Sequence, residues 1–245
     1  MTTAIKTYLN SLPEDILTIN ISNKGITSLP DLTRFKNLET LYCYDNKLTL
    51  LPTLPPNIKT LYCSNNYLTS LPTLPQNLKI LDCLNNELTL LPNLPQNLKE
   101  LYCDNNQLTL LPTLPQNLEE LNCGDNKLTS LPTLPQNLKI LNCFYNQLTL
   151  LPTLPQNLEE FDCYANPISE IVNGDSLIKI KQNIQILNNF RHLYYCLKFK
   201  KQLRKWLWEK VREPQIKKMF HPKYLVENLG EHDDLDTVLH NWINK

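Results

Sequence analysis

Seven cysteines recur at a single spacing, and their thiols are the side chains in this chain with the widest choice of chemistry. They stand 20 residues apart, at Cys43, Cys63, Cys83, Cys103, Cys123, Cys143 and Cys163. Zinc sites usually need ligands about two to four residues apart. Disulfides need side chains that face one another, whereas residues in one repeat position stack in parallel. The spacing therefore favours seven small buried apolar side chains and a reducing compartment.

Other reactive groups are sparse in the sequence. Cys196 follows His192 by one helical turn, but two ligands do not complete a metal site. The four glycines, at 25, 124, 174 and 230, cannot form either glycine-rich phosphate-binding motif. We therefore expect a protein that is not an enzyme, with no catalytic residue, cofactor, metal or small-molecule substrate. No apolar run is long enough for a membrane span and no signal peptide is evident, which favours an intracellular protein.

A second set of residues varies where the rest of the pattern repeats. These residues flank the cysteine positions: Tyr42, Tyr44, Tyr62, Leu84, Tyr102, Phe144 and Tyr164. Exposed aromatic side chains among polar neighbours are typical of protein-binding surfaces. Tyrosine also suits a half-exposed strand without any partner, so both interpretations stay open. Six acidic residues line the same face and are interpreted as solvated: Asp82, Glu100, Asp104, Glu120, Glu160 and Asp162.

Basic residues concentrate towards the C-terminus. Residues 1–170 hold 10 Lys and Arg against 16 Asp and Glu, whereas residues 176–223 hold 13 against 2. One predicted helix face carries Arg191, Lys198, Lys201, Lys205, Trp208 and Arg212. This basic patch could bind nucleic acid, an anionic surface or an acidic protein. The acidic residues 224–245 could also cover it, which favours self-pairing or protein contact over nucleic acid.

The element that positions the cysteines and tyrosines is a repeat. The unit NLKxLxCxNNxLTxLPTLPQ returns every 20 residues and gives eight units over residues 16–172, the first of them longer. Alternation predicts that Leu41 and Cys43 point inward and Tyr42 outward, on short strands stacked into a parallel sheet. We expect the Asn46-type residue to bond the backbone where the chain leaves each strand.

The remaining segments follow from composition. Two prolines per LPTLPQ segment favour an extended, polyproline-like convex side with Leu51 and Leu54 turned inward. Residues 1–15 are predicted to form an N-terminal helical cap in which Tyr8 and Leu9 pack down. Residues 173–245 are predicted to form a helical C-terminal extension. Its first helix should bury Leu177, Ile178, Ile180, Ile184 and Leu187 and end near Asn188-Asn189.

The pattern LxxLxLxxNxL, with LPxLP between units, resembles the short leucine-rich repeats of bacterial type III-secreted effectors. The resemblance implies a leucine-rich repeat solenoid with strands on the concave face and an α-helical C-terminal cap. Some such effectors carry a ubiquitin ligase with a catalytic Cys-x-Asp motif; here Cys196 lies in YYCLKF, so that activity is not implied. SLPEDIL at 11–17 resembles the start of an F-box, which leaves a ubiquitin-pathway adaptor as an alternative.

Two further motifs, RKWLWEKVREPQI and FHPKYL, resemble the C-terminal extension of leucine-rich repeat proteins from giant, amoeba-infecting DNA viruses (mimivirus-like). This resemblance implies a viral protein in the host-cell cytoplasm and carries no established activity. The combined expectation is a protein–protein interaction module that binds a host or viral protein through the concave face. Binding of nucleic acid or an acidic surface through residues 191–223 is the first alternative, and a ubiquitin-pathway role the second.

Overall fold

The computed structural model describes residues 2–172, 174 and 176–199, together with the single positions 202, 205, 209 and 214. The chain divides into two compact units, Met1–Asn188 and Asn189–Lys245. The first unit contains the repeats.

Eight short strands form one parallel sheet in chain order. Helix α1 (Thr2–Ser11) precedes them, and helices α2 (Ser169–Val172) and α3 (Leu177–Lys198) follow. The strands are β1 (Thr18–Asn20), β2 (Thr40–Tyr42), β3 (Thr60–Tyr62), β4 (Ile80–Asp82), β5 (Glu100–Tyr102), β6 (Glu120–Asn122), β7 (Ile140–Asn142) and β8 (Glu160–Asp162). Leu41 pairs with Leu61, so the sheet register follows the sequence period and confirms the predicted solenoid.

The interior of the repeats is built as the alternation predicts. Leu41 and Cys43 are fully buried, Tyr42 between them is half-buried, and the convex-side Leu51 and Leu54 also point inward. A three-residue strand cannot bury its own apolar side chains, so each repeat depends on the repeats above and below it. The same arrangement recurs in the later units, which gives one continuous apolar core along the solenoid.

The turn after each strand from β2 to β8 is held by a buried asparagine, as predicted. Asn66 donates from Nδ2 to the carbonyl oxygens of Cys63 (3.1 Å) and Ser64 (3.1 Å) in its own repeat. The same Nδ2 donates to Cys43 O of the preceding repeat (3.0 Å), and Asn66 Oδ1 accepts from Leu48 N at 3.0 Å. Each asparagine therefore satisfies buried backbone groups in two neighbouring repeats at once.

One turn residue adopts the left-handed conformation in every repeat: Asn23 in the first, and the residue before the buried asparagine in the others. Asn23, Asn65, Asn85 and Asn105 have φ values between 52° and 54°, and Asp45 and Asp125 have 52° and 50°. Asn and Asp enter this region with the least penalty among residues that carry a Cβ. The last two units depart from the rule, with Tyr145 at 46° and Ala165 at 53°.

The ends of the repeat unit correct several sequence predictions. In α1, Leu9 packs into the core as predicted, but Tyr8 is 42% exposed because the helix presents it to the other side. In α3, Ile184 is buried as predicted, whereas Ile178 is 70% exposed. The helix does not end at Asn188-Asn189 but continues to Lys198. Asparagine costs a helix only about 0.7 kcal/mol, and no Gly or Pro stands there to break it.

Candidate protein-binding face

Three side chains of each repeat point outward from the sheet: those on either side of the strand leucine, and the one after the cysteine. For β2 they are Thr40, Tyr42 and Tyr44. We call these positions, over all eight repeats, the strand face; in the leucine-rich repeat solenoid this is the concave face. The buried Leu41 and Cys43 fix the strand from below, so the strand face stands on a rigid support.

Three predicted tyrosines lie together at the N-terminal end of the strand face. The rings of Tyr42 and Tyr62 stack with centroids 5.0 Å apart and planes 2° from parallel. Tyr44 meets Tyr42 edge-on, at 6.3 Å and 84°. The stack follows from the sheet, because Tyr42 and Tyr62 are register partners on neighbouring strands. The result is a pre-ordered aromatic surface, half-buried and open on one side.

Tyr102, in the middle of the strand face, is tied to acidic neighbours. Its hydroxyl donates to Glu100 Oε2 at 3.0 Å. Burial, together with the carboxylates of Glu120 and Glu100, raises the pKa of Tyr102, so the phenol stays protonated and acts as a donor. Leu84, on the preceding repeat, is 36% exposed. The structure therefore places Tyr102 in an acidic setting, apart from the Tyr42–Tyr62 stack.

A second aromatic cluster lies towards the C-terminal end of the strand face. Phe144 meets Tyr145 edge-on at 6.1 Å, and Tyr145 meets the predicted Tyr164 edge-on at 5.7 Å. Phe144 covers Gly124, where an added Cβ would lie 2.6 Å from the ring. Tyr145 was missed by the sequence analysis because its position belongs to the turn. Its departure from the Asn and Asp of the first six units was the available signal.

Two of the six acidic residues, Asp82 and Asp104, are partly buried and hydrogen-bonded instead of simply solvated. Asp82 accepts hydrogen bonds from Ser64 Oγ at 2.9 Å and Leu84 N at 3.2 Å. Asp104 accepts from Gly124 N at 2.9 Å. Partial burial nevertheless raises the pKa of Asp82 and of Asp104 above the ordinary value. No Lys or Arg occupies any strand-face position, so nothing on this face neutralises the six carboxylates.

Opposite charges meet on a different edge of the repeats, at a place that the sequence analysis did not single out. Glu119 lies between Lys99 and Lys139, with Nζ–Oε distances of 2.7 Å on both sides. Hydrogen bonds from Lys139 and Lys99 lower the pKa of Glu119 to about 2. A cavity of about 540 Å³ lies beside this triad and is lined by polar side chains such as Asn117 and Asn137. Glu159 also lines the cavity, so its two lysines and two glutamates balance and leave no excess charge to attract a ligand.

The seven cysteines of the repeats, Cys43 to Cys163, are called the ladder cysteines. They are free thiols, and all except Cys163 are fully buried. Burial raises the pKa of Cys43 to about 12 and that of the half-buried Cys163 to about 11. A nucleophilic cysteine needs a lowered pKa, so these thiols serve packing. Among the described residues, no three His, Cys, Asp or Glu side chains lie close enough together to hold a metal ion. No described helix is long and apolar enough to cross a membrane.

The basic patch falls in the second unit and is described only in part. The Lys198 ammonium lies 5.8 Å from the Tyr194 ring and 5.7 Å from the Phe199 ring, within cation–π range. Lys205 pairs with Glu209 at 3.7 Å, one helical turn away. Arg191 is half-buried. Lys201, Trp208 and Arg212 lie outside the described residues, as does the side chain of Cys196.

A parallel sheet of three-residue strands at a regular spacing, with a buried asparagine in the turn after β2 and each later strand, defines the leucine-rich repeat class. The family model described as Leucine Rich Repeat matches residues 57–78, 97–118 and 117–138. No curated protein sequence matches the chain. A Shigella effector leucine-rich repeat domain is 32% identical, over 67% of this chain and 74% of its own, with a TM-score of 0.57. The chain belongs to the leucine-rich repeat family.

Two further solved structures are similar to the repeat region. YopM, a leucine-rich effector protein from Yersinia pestis, is 42% identical over 64% of this chain and 44% of its own, with a TM-score of 0.62. YopM from Yersinia enterocolitica is 34% identical over 64% of this chain and 39% of its own, with a TM-score of 0.54. This chain spans less than half the length of either YopM. The repeats are thus structurally close to those of bacterial effectors, and their fold is a typical scaffold for protein–protein interaction.

Proposed function

We propose that this protein is a non-enzymatic interaction module that binds another protein through its strand face. The observation that carries the proposal is the stacked Tyr42–Tyr62 pair with Tyr44 against its edge. Tyrosines already held in one rotamer lose little entropy when a partner covers them, which is why they are frequent binding anchors. The second aromatic cluster, around Phe144 and Tyr164, offers a further anchor on the same face.

The charge of the strand face favours a basic partner. Six carboxylates and no cation occupy this face, and burial makes two of them, Asp82 and Asp104, harder to ionise. A Lys or Arg side chain arriving from a partner would stabilise the ionised carboxylates, and Tyr42 and Tyr62 offer π faces for cation–π contacts. The proposed partner is therefore a protein surface that combines apolar side chains with Lys or Arg.

We further propose the cellular compartment in which the interaction takes place. The resemblance of the C-terminal motifs to giant-virus proteins supports an interaction in the cytoplasm of an amoebal host. There the partner would be a host or a viral protein. The buried free thiols of the ladder suit a reducing compartment of that kind.

The test is affinity purification from infected amoebae with the full chain. The key variant is Tyr42→Asn/Tyr62→Asn/Tyr102→Asn, because Asn122 and Asn142 already occupy this position in other repeats and the fold tolerates asparagine there. The control is Tyr8→Ala, which removes an exposed tyrosine from α1. We expect a partner that the wild type and the control retain and the triple variant loses. Identical partner sets for the wild type and the triple variant would overturn the proposal.

The excess of basic residues in 176–223 supports a second candidate, the binding of nucleic acid or another acidic surface. Lys201→Glu/Lys205→Glu should then abolish retention on heparin or DNA at moderate salt, whereas the strand-face variant should leave it unchanged. A wild type that flows through both columns rejects this candidate. The ladder cysteines give no support to a ubiquitin ligase, since their thiols are buried and their pKa values raised.

A further inference from the structure

A row of six exposed residues, four leucines and two serines, runs along one edge of six consecutive repeats. It occupies the position directly before each buried Leu51-type residue and consists of Leu50, Ser70, Leu90, Leu110, Ser130 and Leu150. The leucines in this row are 58%, 55%, 53% and 36% exposed, in chain order. Single exposed leucines are ordinary, but aligned ones form an apolar strip, and such strips mark interaction surfaces. We call this set the leucine row.

The order of residues in the leucine row is the same in both directions: Leu-Ser-Leu-Leu-Ser-Leu. Its midpoint falls between Leu90 and Leu110. In a two-fold symmetric dimer with the solenoids antiparallel, each repeat position faces the same position of the second copy in reversed order. Leu50 then faces Leu150 of the second copy, Leu90 faces Leu110, and Ser70 faces Ser130. Every leucine meets a leucine and every serine a serine.

The neighbouring positions are compatible with the same arrangement. Three residues before the row stand Lys47, Tyr67, Glu87, Gln107, Lys127 and Gln147. Reversal pairs Lys47 with Gln147, Glu87 with Gln107, and the 51%-exposed Tyr67 with Lys127. No two like charges meet, and the third pair is a cation–π contact. The turn residues, which include Asp45 and Asp125, also meet no like charge in the second copy. Asp45 faces Tyr145, and Asp125 faces Asn65.

We propose that the leucine row is the interface of an antiparallel homodimer. The occupant is a second copy of this chain, because self-complementarity under reversal is a property that only a second copy can use. A parallel dimer would match leucine with leucine for any order of the row, so the palindromic order points to the antiparallel one. The row spans five repeat steps, or ~24 Å. It lies outside the strand face, so the inference goes beyond the proposed function.

The first test is the dependence of molecular mass on concentration, measured by sedimentation equilibrium. The monomer has a mass of 28.6 kDa, and we expect this value to double as concentration rises. Leu90→Ser/Leu110→Ser uses the residue that the chain itself has at Ser70 and Ser130, so folding should be retained. It should raise the dissociation constant by about tenfold or more. The matched control, Leu17→Ser, removes a 55%-exposed leucine outside the row and should leave dimerisation unchanged.

The second test reports the orientation of the two copies. Ser70→Cys and Ser130→Cys are prepared as separate variants and treated with a short bis-maleimide, alone and mixed. The antiparallel dimer places position 70 opposite position 130, so only the mixture should give a cross-linked dimer above the level of the wild type, which controls for the native cysteines. Cross-linking of each variant with itself would overturn the antiparallel arrangement. A protein that stays monomeric at all concentrations would overturn the proposal altogether.

The third test uses charge at the proposed Glu87–Gln107 contact. Gln107→Glu places a carboxylate opposite Glu87 of the second copy and should weaken the dimer several-fold at low salt, as about 1 kcal/mol of repulsion converts to a fivefold change. Addition of Glu87→Lys turns both contacts into opposite-charge pairs and should restore association. If the double variant dimerises no better than Gln107→Glu alone, the proposed register is wrong.

Discussion

The buried asparagines are the residues on which the repeats depend most. Asn86 donates from Nδ2 to the carbonyl oxygens of Cys63 (3.1 Å), Cys83 (3.1 Å) and Leu84 (3.2 Å), and its Oδ1 accepts from Leu68 N at 3.0 Å. Asn86→Ala would leave these buried backbone groups without partners, at a cost of about 3 kcal/mol in the free energy of unfolding. Urea denaturation followed by circular dichroism measures this loss.

A matched control for Asn86→Ala is Asn97→Ala. Asn97 is exposed and donates one hydrogen bond, to Gln76 O at 2.9 Å. Loss of an exposed hydrogen bond should cost no more than about 1 kcal/mol, because water replaces it. Equal destabilisation by the two substitutions would contradict the account of the buried asparagine as the centre of the turn.

Ala165 departs from the residue types found at the same turn position of most other repeats. It has φ 53°, where the equivalent residue of the first six units is Asn or Asp. A Cβ in this region costs ~1–2 kcal/mol, and asparagine relieves part of that cost through its local hydrogen bonding. Ala165→Asn should therefore raise the free energy of unfolding by about 0.5–1 kcal/mol in urea denaturation. The reverse change, Asn105→Ala, should lower it; an Ala165→Asn variant no more stable than the wild type would reject the idea.

Asp104 should give stability an uncommon dependence on pH. Burial raises its pKa in the folded state above the ordinary 3.8, so the folded protein takes up a proton before the unfolded chain does. The carboxylate therefore lowers stability at neutral pH, and this penalty disappears as the pH falls through the raised value towards 3.8. Asp104→Asn should be more stable than the wild type at neutral pH, and the difference should shrink in acid.

Asp31 provides a control of opposite sign for Asp104→Asn. Hydrogen bonds from Thr33 lower the pKa of Asp31, so its carboxylate stabilises the fold above pH 3.8 and the effect is lost below it. Asp31→Asn should therefore destabilise the protein at neutral pH. The stability of both variants is compared with that of the wild type through urea midpoints at neutral pH and near pH 3.8. A shift in the same direction for the two would show that the burial of Asp104 is not the cause.

At the scale of elements, helix α3 closes the C-terminal end of the repeats through one narrow strip. Ile184 is 2% exposed, whereas Ile186, two residues along the same helix, is 63% exposed. Lys181 Nζ donates to Gln156 O at 2.9 Å and to Leu158 O at 3.1 Å, and Asn188 Nδ2 donates to Leu151 O at 3.2 Å. The last repeat thus receives from α3 the contacts that a further repeat would have supplied.

The two isoleucines of α3 allow a paired prediction. Ile184→Ala should lower the free energy of unfolding by about 3 kcal/mol and speed hydrogen exchange in β8. Ile186→Ala should change stability by less than about 0.5 kcal/mol. Exchange in β4, four strands away, should be unaffected by either variant, since repeats transmit stability mainly to their neighbours. Fast exchange in β8 of the wild type would contradict the assigned role of α3.

The sequence was sufficient to predict the strands and their register, because the period of 20 residues aligns the same side chains in each unit. It also placed Asn66 at the turn and the cysteines in the core. The errors are Tyr8, Ile178 and the helix break at Asn188-Asn189, and all three lie in the terminal helices, where the packing of a single helix decides burial. The stack of Tyr42 on Tyr62 could be anticipated from register. The burial of Asp82 and Asp104 could not, since it depends on neighbours in adjacent strands.

At the scale of the whole molecule, the solenoid should tolerate the deletion of one complete repeat. Removal of residues 97–116 joins Gln96 to Asn117 and restores the sequence of a normal repeat, so every remaining side chain keeps its inward or outward position. This variant should fold with one strand fewer and unfold at a somewhat lower urea concentration. Removal of residues 97–106 alone should abolish cooperative unfolding, since it places Leu110, Leu111 and Pro112 of the convex side at the positions of a strand. Equal behaviour of the two deletions would argue against a strict 20-residue solenoid.

The bonding of each asparagine to the preceding repeat has a consequence for synthesis on the ribosome. Leu48 N obtains its acceptor from Asn66, which is made 18 residues later, and Leu68 N obtains its acceptor from Asn86 in the same way. A nascent repeat is therefore incomplete until the next one has left the exit tunnel, and the folded part of the chain always ends one repeat behind the translated part. Growth from the N-terminus has a start in α1 and a finish in α2 and α3.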